Sequence, residues 1–159
     1  MIDTRNFMNR TGVRTFEAAA FLRRCGADIT RVRKMFRDDM ASYRAKAEAM
    51  RRAEVYRKEY AIAECPSDIE SPTVLAAQTA NELLDISGIK ASFVLTVYEG
   101  KIYLSARSID EVNVQIIAEK LGGGGHINSA GAQFDHTNIQ EVITILKETI
   151  DEMIEEGDI

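Results

Sequence analysis

Residues 91–107 read ASFVLTVYEGKIYLSAR, a pattern that predicts a β-hairpin. Two largely apolar runs, 91–98 and 101–107, flank Glu99 and Gly100, and such a pair of turn residues is typical of a tight connection between antiparallel strands. Apolar periodicity and turn residues predict further elements on both sides: a strand over 54–63, helices over 73–86 and 112–121, a strand over 130–134 and a helix over 139–156. Because strands and helices interleave, the sequence predicts an α/β fold with a mixed β-sheet covered by helices.

The first third of the sequence predicts a helical segment without strands. A long helix is predicted over 30–54, because apolar residues that include Met35 and Phe36 recur every three or four positions. Such a helix would be about 37 Å long, a length that suits a connector between two bodies. We therefore expect residues 1–54 to contain this connector helix, and residues 55–159 to form a compact domain.

The formal charge of −5 conceals two parts of opposite sign. Residues 1–60 carry 15 Lys and Arg against 8 Asp and Glu, whereas residues 61–159 carry 5 against 17. The basic part favours a solvated helix face, with binding of an anionic partner as the alternative. The acidic part disfavours a protein that tracks a nucleic-acid backbone, since such proteins present basic surfaces. Two distant cysteines, with no secretory signal, favour the reducing cytoplasm over a disulfide framework.

The most informative motif is a run of four glycines followed by a histidine: Gly122, Gly123, Gly124, Gly125 and His126. Four consecutive glycines cost conformational entropy, so a folded domain keeps them where the backbone needs their freedom. One interpretation is a flexible connection between a helix and a strand. The other is a loop whose bare amides approach a phosphate or nucleotide, with His126 as a directed donor. The spacing fits neither a Walker A loop nor a dinucleotide-binding fingerprint.

A second candidate group lies at the end of the hairpin. Arg107 is one of only five basic residues after residue 60, and an arginine at a strand end suits bidentate phosphate recognition. A surface ion pair with Asp110 or Glu111 is an equally open interpretation. Ser105 precedes Arg107 on the same strand, and Asn113 stands at the start of the next predicted helix.

Taken together, several segments resemble the DHH phosphoesterases, and more narrowly the GdpP-type cyclic di-AMP phosphodiesterases. Residues 3–7 and 11–17 resemble the end of the catalytic domain of that family. The segments that resemble its DHH-associated C-terminal domain are 71–73, 77–84, 105–108, 113–115, 122–126 and 130–132. The likeness runs in order over nearly the whole chain.

The resemblance implies a two-domain hydrolase whose catalytic domain holds two manganese ions and whose associated domain binds the nucleotide. It implies that Asp3 is a metal ligand, and that substrate is bound by Ser105, Arg107, Asn113, Gly122, Gly123, Gly124, Gly125 and His126. The implied reaction is metal-assisted hydrolysis of cyclic di-AMP to linear pApA.

One carboxylate cannot hold two divalent metals, and the family's other ligands would lie upstream of Asp3. We therefore expect the chain to be a fragment of a longer enzyme, inactive without its DHH domain. The resemblance also implies that the full-length protein is anchored in a membrane. The apolar stripe of the connector helix makes a homodimer plausible. Two alternatives remain: part of a DHH oligoribonuclease or phosphatase that acts on short oligonucleotides, and a non-catalytic nucleic-acid-binding module.

Overall fold

The computed structural model describes residues 4, 7, 11–109, 111–135 and 138–159. Its helices and strands are α1 Val13–Arg24, α2 Ile29–Met35, α3 Met40–Arg51, β1 Glu54–Tyr56, β2 Tyr60–Glu64, α4 Pro72–Leu83, β3 Ala91–Tyr98, β4 Lys101–Ser108, α5 Val114–Lys120, β5 Gly124–His126, β6 Ser129–Phe134 and α6 Ile139–Glu156. The contacts divide the chain into two compact units, Met1–Asp38 and Asp39–Ile159. Within the described ranges, no helix is both long and apolar enough to span a membrane.

The first unit contains α1 and α2, and neither helix has a buried residue. Local polar contacts define the helix starts: the Gly12 amide donates to the Thr15 hydroxyl over 3.3 Å, and the Asp28 carboxylate caps α2. Large apolar side chains such as Phe16 and Phe21 are more than half exposed. The described part of this unit therefore has no apolar core of its own.

The single helix predicted over 30–54 is wrong, because the chain leaves the helix after Met35 and starts a new one at Met40. Asp39 causes the restart: its carboxylate accepts hydrogen bonds from the amides of Ala41 and Ser42 at 2.8 and 3.0 Å. A side chain that satisfies these first amides favours a helix start over a helix interior. The apolar periodicity continues through the break, so it did not reveal the interruption.

The second helix of this pair, α3, packs with the sheet that follows. Ala49 belongs to an apolar cluster of that domain, and the nearly buried Lys46 lies 2.7 Å from a carboxylate oxygen of Glu82 on α4. The sequence division into 1–54 and 55–159 placed α3 with the preceding residues, whereas the contacts place it with the sheet. The roles assigned to the two parts stay predictions.

The second unit is built on one six-stranded sheet in the order β1-β2-β3-β4-β6-β5. β2 and β3 pair in parallel across α4, and the other pairs are antiparallel, which confirms the predicted mixed sheet. The β3–β4 hairpin turns at Glu99 and Gly100, both in the left-handed region. The strand predicted over 54–63 is instead a second hairpin, β1–β2, whose turn places Arg57 and Lys58 in that same region.

Helices cover both faces of this sheet at strands β2 and β3. On one face, Phe93 and Leu95 pack with residues of α5 and α6, including Leu146. On the other face, Val94 packs with α3 and α4, including Leu83. Alternate side chains of β3 therefore pack into two apolar layers, one on each face of the sheet, as expected for a strand buried on both sides.

Side-chain contacts attach the first hairpin to α6. The Tyr56 hydroxyl donates to Asp151 over 2.7 Å, and Arg57 Nε donates to the same carboxylate over 2.9 Å. The hydrogen bonds from Arg57 and then Tyr56 lower the pKa of Asp151 below its ordinary value. Lys147 also contacts Glu54 over 2.8 Å, so the edge strand β1 is anchored to α6 at two points.

Candidate functional site

Strand register brings two of the predicted residues into one row. Arg107 on β4 pairs with Ser129 on β6, and Ser129 pairs with His126 on β5. Register partners project from the same face of a sheet, so these three side chains lie side by side. Strands are about 4.8 Å apart, which places Arg107 and His126 roughly 10 Å apart across the row. Ser129 was missed in the sequence, because register is not visible there.

A second row lies beside the first on the same face. Ser105 pairs with Gly131, which pairs with Gly124. The alternate residues of β4, Leu104 and Ala106, face the opposite side and belong to the core under α5 and α6. The two rows therefore form a surface on the far face of strands β4, β6 and β5, here called the open face. His126 and Ser129 are exposed, whereas the other four members are partly buried: Ser105, Arg107, Gly124 and Gly131.

Three of the four consecutive glycines are explained by the backbone around them. Gly122 has φ +79°, which favours glycine. A Cβ on Gly123 would lie 2.1 Å from the Gly131 carbonyl oxygen, and one on Gly125, where φ is +151°, would lie 2.5 Å from Ala130 Cα. These positions pack tightly against β6. The interpretation of the run as a flexible connection is wrong for Gly124–His126, which forms an edge strand.

Gly124 is different, because no contact within the part of the chain that the structure describes requires a glycine there. A Cβ built on it would meet no heavy atom within 4 Å, and its φ lies outside the left-handed region. Because Gly124 has no side chain, a ligand at the open face can approach the backbone of the row formed by Ser105, Gly131 and Gly124. A bare strand position beside an arginine and a histidine allows an anionic group to approach the backbone closely.

The Arg107 side chain is half-buried at the β4 end of the first row, with β6 between it and Gly124. Its Nη1 donates to the carbonyls of Ala106 and Ala130 over 2.8 and 3.4 Å, and desolvation by burial lowers its pKa. Within the described ranges, no carboxylate forms a salt bridge with Arg107, so the ion pair with Glu111 is not formed; Asp110 lies outside those ranges. The guanidinium has five N–H donors, and a desolvated cation of this kind favours an anionic partner.

Comparisons with known proteins identify this architecture. Residues 58–152 match the family model of the DHHA1 domain. The chain belongs to the DHHA1 domain family. This result confirms the resemblance to DHH-family phosphoesterases inferred from the motifs, and the matched range contains both rows of the open face.

Named relatives and a solved structure extend the comparison. The chain is 42% identical to the cyclic-di-AMP phosphodiesterase GdpP of Geobacillus thermodenitrificans over 99% of its own length and 24% of that protein. It is 41% identical to the cyclic-di-AMP phosphodiesterase PdeA of Listeria monocytogenes over 95% of its length and 23% of that protein. It thus spans about a quarter of these relatives. An exopolyphosphatase-related protein from Bacteroides fragilis shares the fold, with a TM-score of 0.84 at 21% identity over 96% of this chain and 47% of that one.

Asn113 has a structural use in this DHHA1 domain. It is the N-cap of α5, and its side-chain oxygen accepts a hydrogen bond from the Gln115 amide over 3.1 Å. Removing such a cap costs about 1 kcal/mol in a typical helix. Asn113 lies outside both rows of the open face, and its predicted contact with substrate stays a prediction.

The predicted metal ligand, Asp3, lies outside the residues that the structure describes. Among the residues it does describe, no group of three or more His, Cys, Asp and Glu side chains could hold a metal ion. The donors among the described residues therefore do not fit a manganese pair. His136, the second histidine, also falls outside the described residues.

A cavity of about 480 Å³ lies away from the open face, between α3, β2 and α6. Charged residues at its rim include Glu48 and Arg52, and hydrogen bonding to Arg51 lowers the pKa of Glu48 to about 2. None of the residues of the two rows lines this cavity. The candidate site of the DHHA1 domain is thus an exposed strand surface and not an enclosed pocket.

Proposed function

We propose that this DHHA1 domain supplies the dinucleotide-binding surface of a cyclic di-AMP phosphodiesterase. The observation that carries the proposal is the bare Gly124, which no intramolecular contact explains. It stands in register beside the row that holds Arg107 and His126. The names of two relatives more than 40% identical, both cyclic-di-AMP phosphodiesterases, support the choice of substrate.

The chemistry of the open face suits a phosphodiester. Arg107 supplies a planar cation with several donors, and His126 supplies an exposed imidazole about two strands away. Gly124, the β5 member of the second row, lets a phosphate oxygen reach the backbone without meeting a side chain. The rest of residues 61–159 is strongly acidic, so anion recognition is concentrated at these few groups.

Calorimetric titration of the 159-residue chain with cyclic di-AMP tests the proposal. We expect wild-type binding, and at least a tenfold loss with Gly124→Leu, because a bulky side chain would occupy the bare position. Gln133→Leu is the matched control, since Gln133 is exposed on β6 and pairs with Tyr103 beyond the end of β5. Equal affinity of wild type and Gly124→Leu would refute the proposed site. Tighter binding of two- to five-nucleotide RNA would favour the oligoribonuclease alternative.

We further propose that hydrolysis to linear pApA, with its two manganese ions, requires a DHH catalytic domain and that the 159-residue chain does not turn over alone. The support is the donor set, which in the described ranges offers no metal-binding group. The test is incubation of the purified chain with cyclic di-AMP and Mn²⁺. Product above a protein-free metal blank would contradict this part of the proposal and leave the binding surface unaffected.

A homodimer is proposed to cover exposed apolar side chains of the first unit. Met35 is 77% and Phe36 49% exposed, and side chains of this size are seldom left uncovered in a cluster. Sedimentation should give the mass of a dimer for the wild type and of a monomer when both residues are replaced by Glu. A dimer mass retained by the double variant would place the interface elsewhere.

A further inference from the structure

We propose that Ser108 is a positioning residue that holds His126 in place for the ligand; this inference rests on the proposed function. Ser108 ends β4, directly after Arg107, and is only 6% exposed. Its hydroxyl donates to the Ile127 carbonyl over 3.3 Å, and its amide donates to the Asn128 carbonyl over 3.2 Å. Ser108 therefore forms hydrogen bonds with Ile127 and Asn128, the two residues of the turn that follows His126.

The same turn is also held by α5. The Val114 amide donates to the Ile127 carbonyl over 2.9 Å, so one carbonyl accepts hydrogen bonds from the end of β4 and from the first residue of α5. The Ser108 hydroxyl also lies 3.4 Å from the side-chain oxygen of Asn128. The turn joins β5 to β6. Hydrogen bonds from Ser108 and from Val114 therefore hold its backbone in place.

These hydrogen bonds matter because of the length of β5 and its place in the sheet. β5 is a three-residue edge strand, paired only with β6, and two of its residues are Gly124 and Gly125. Glycines and an unpaired edge leave a strand free to move locally. His126 is the last residue of β5, so its distance from Arg107 depends on the turn that Ser108 holds. Ser108 thus links the backbone next to Arg107 to the turn that follows His126, and so holds the two ends of the first row at a fixed separation.

The test is a double-mutant cycle on cyclic di-AMP affinity in the 159-residue chain. Ser108→Ala should weaken binding about three- to tenfold, the range expected when one buried hydrogen bond that orders a binding group is lost. In a His126→Ala background the same change should have almost no further effect, because its action passes through the histidine. Amide exchange at residues 126–129 should accelerate in Ser108→Ala without ligand.

The matched control is Thr96→Val, which also removes one buried hydroxyl that donates to a backbone carbonyl, that of Cys65. It should lower stability without changing affinity or the exchange of residues 126–129. Equal affinity of wild type and Ser108→Ala, or additive losses with His126→Ala, would overturn the positioning role. A wild-type chain that binds no dinucleotide would refute the proposed function itself, and this inference with it.

Discussion

Two neighbouring glycines of the same run should respond in opposite ways to alanine. In Gly123→Ala the new Cβ would lie 2.1 Å from the Gly131 carbonyl oxygen and 2.6 Å from Ala132 Cα. Both are backbone atoms, so β6 must shift, at a cost of about 1–3 kcal/mol or more. In Gly124→Ala the Cβ meets nothing within 4 Å. The loss of glycine freedom in the unfolded chain should then stabilise the protein by up to about 1 kcal/mol.

Urea unfolding without ligand, followed by circular dichroism, measures this contrast. At the centres of the expected ranges, a difference of about 3 kcal/mol between the variants and a slope of about 2 kcal/mol per molar urea correspond to midpoints roughly 1.5 M apart. The wild-type midpoint should lie between those of the two variants or coincide with that of Gly124→Ala. If Gly124→Ala were as destabilising as Gly123→Ala, backbone conformation and packing would explain every glycine of the run. The main argument for a ligand at the open face would then fail.

Three further outcomes follow from contacts elsewhere in the second unit and from the two thiols. Glu82→Gln should destabilise the fold by about 1–3 kcal/mol, because it replaces the carboxylate that lies 2.7 Å from the nearly buried Lys46 ammonium with a neutral amide. Lys46→Met should lower the free energy of unfolding by less than about 1 kcal/mol, since the remaining Glu82 carboxylate is 41% exposed. The urea midpoints of the two variants measure this difference. Because the folded-state pKa of Asp151 is lowered, its contribution to stability is present above about pH 4 and lost as pH falls through that lowered value. Asp151→Asn should therefore flatten the acid limb of a stability-against-pH curve, and an unchanged limb would contradict the assignment. With a thiol-specific chromogenic reagent, native protein should react rapidly at the exposed Cys25, and at the buried Cys65 only in denaturant; two rapid reactions would contradict this.

Much of the second unit could be predicted from sequence because its local signals agree with its packing. Helix α6 was predicted over 139–156 and spans Ile139–Glu156, since a strong apolar stripe ends at Gly157, where φ is +78°. The β3–β4 hairpin was equally clear. The β1–β2 hairpin was missed because Arg57 and Lys58 adopt positive φ, and these residue types give no turn signal.

The residues of the candidate site were visible in the sequence, but their arrangement was not. The glycine run, His126 and Arg107 stand out by composition and position. Their alignment depends on β6 entering between β4 and β5, and strand order of this kind is not encoded in any local pattern. The difference between Gly124 and its neighbours is also invisible in sequence, since it depends on which glycine faces β6 and which faces open space.

The most direct measurement is a ¹H–¹⁵N NMR titration of the labelled chain with cyclic di-AMP. The account predicts that the largest amide shifts cluster at Gly124, His126, Ser129 and Arg107, which share the open face. It also predicts that residues lining the cavity between α3 and α6, such as Lys147, stay unshifted. Saturable binding whose shifts fall at that cavity, with the open face unchanged, would contradict the central claim.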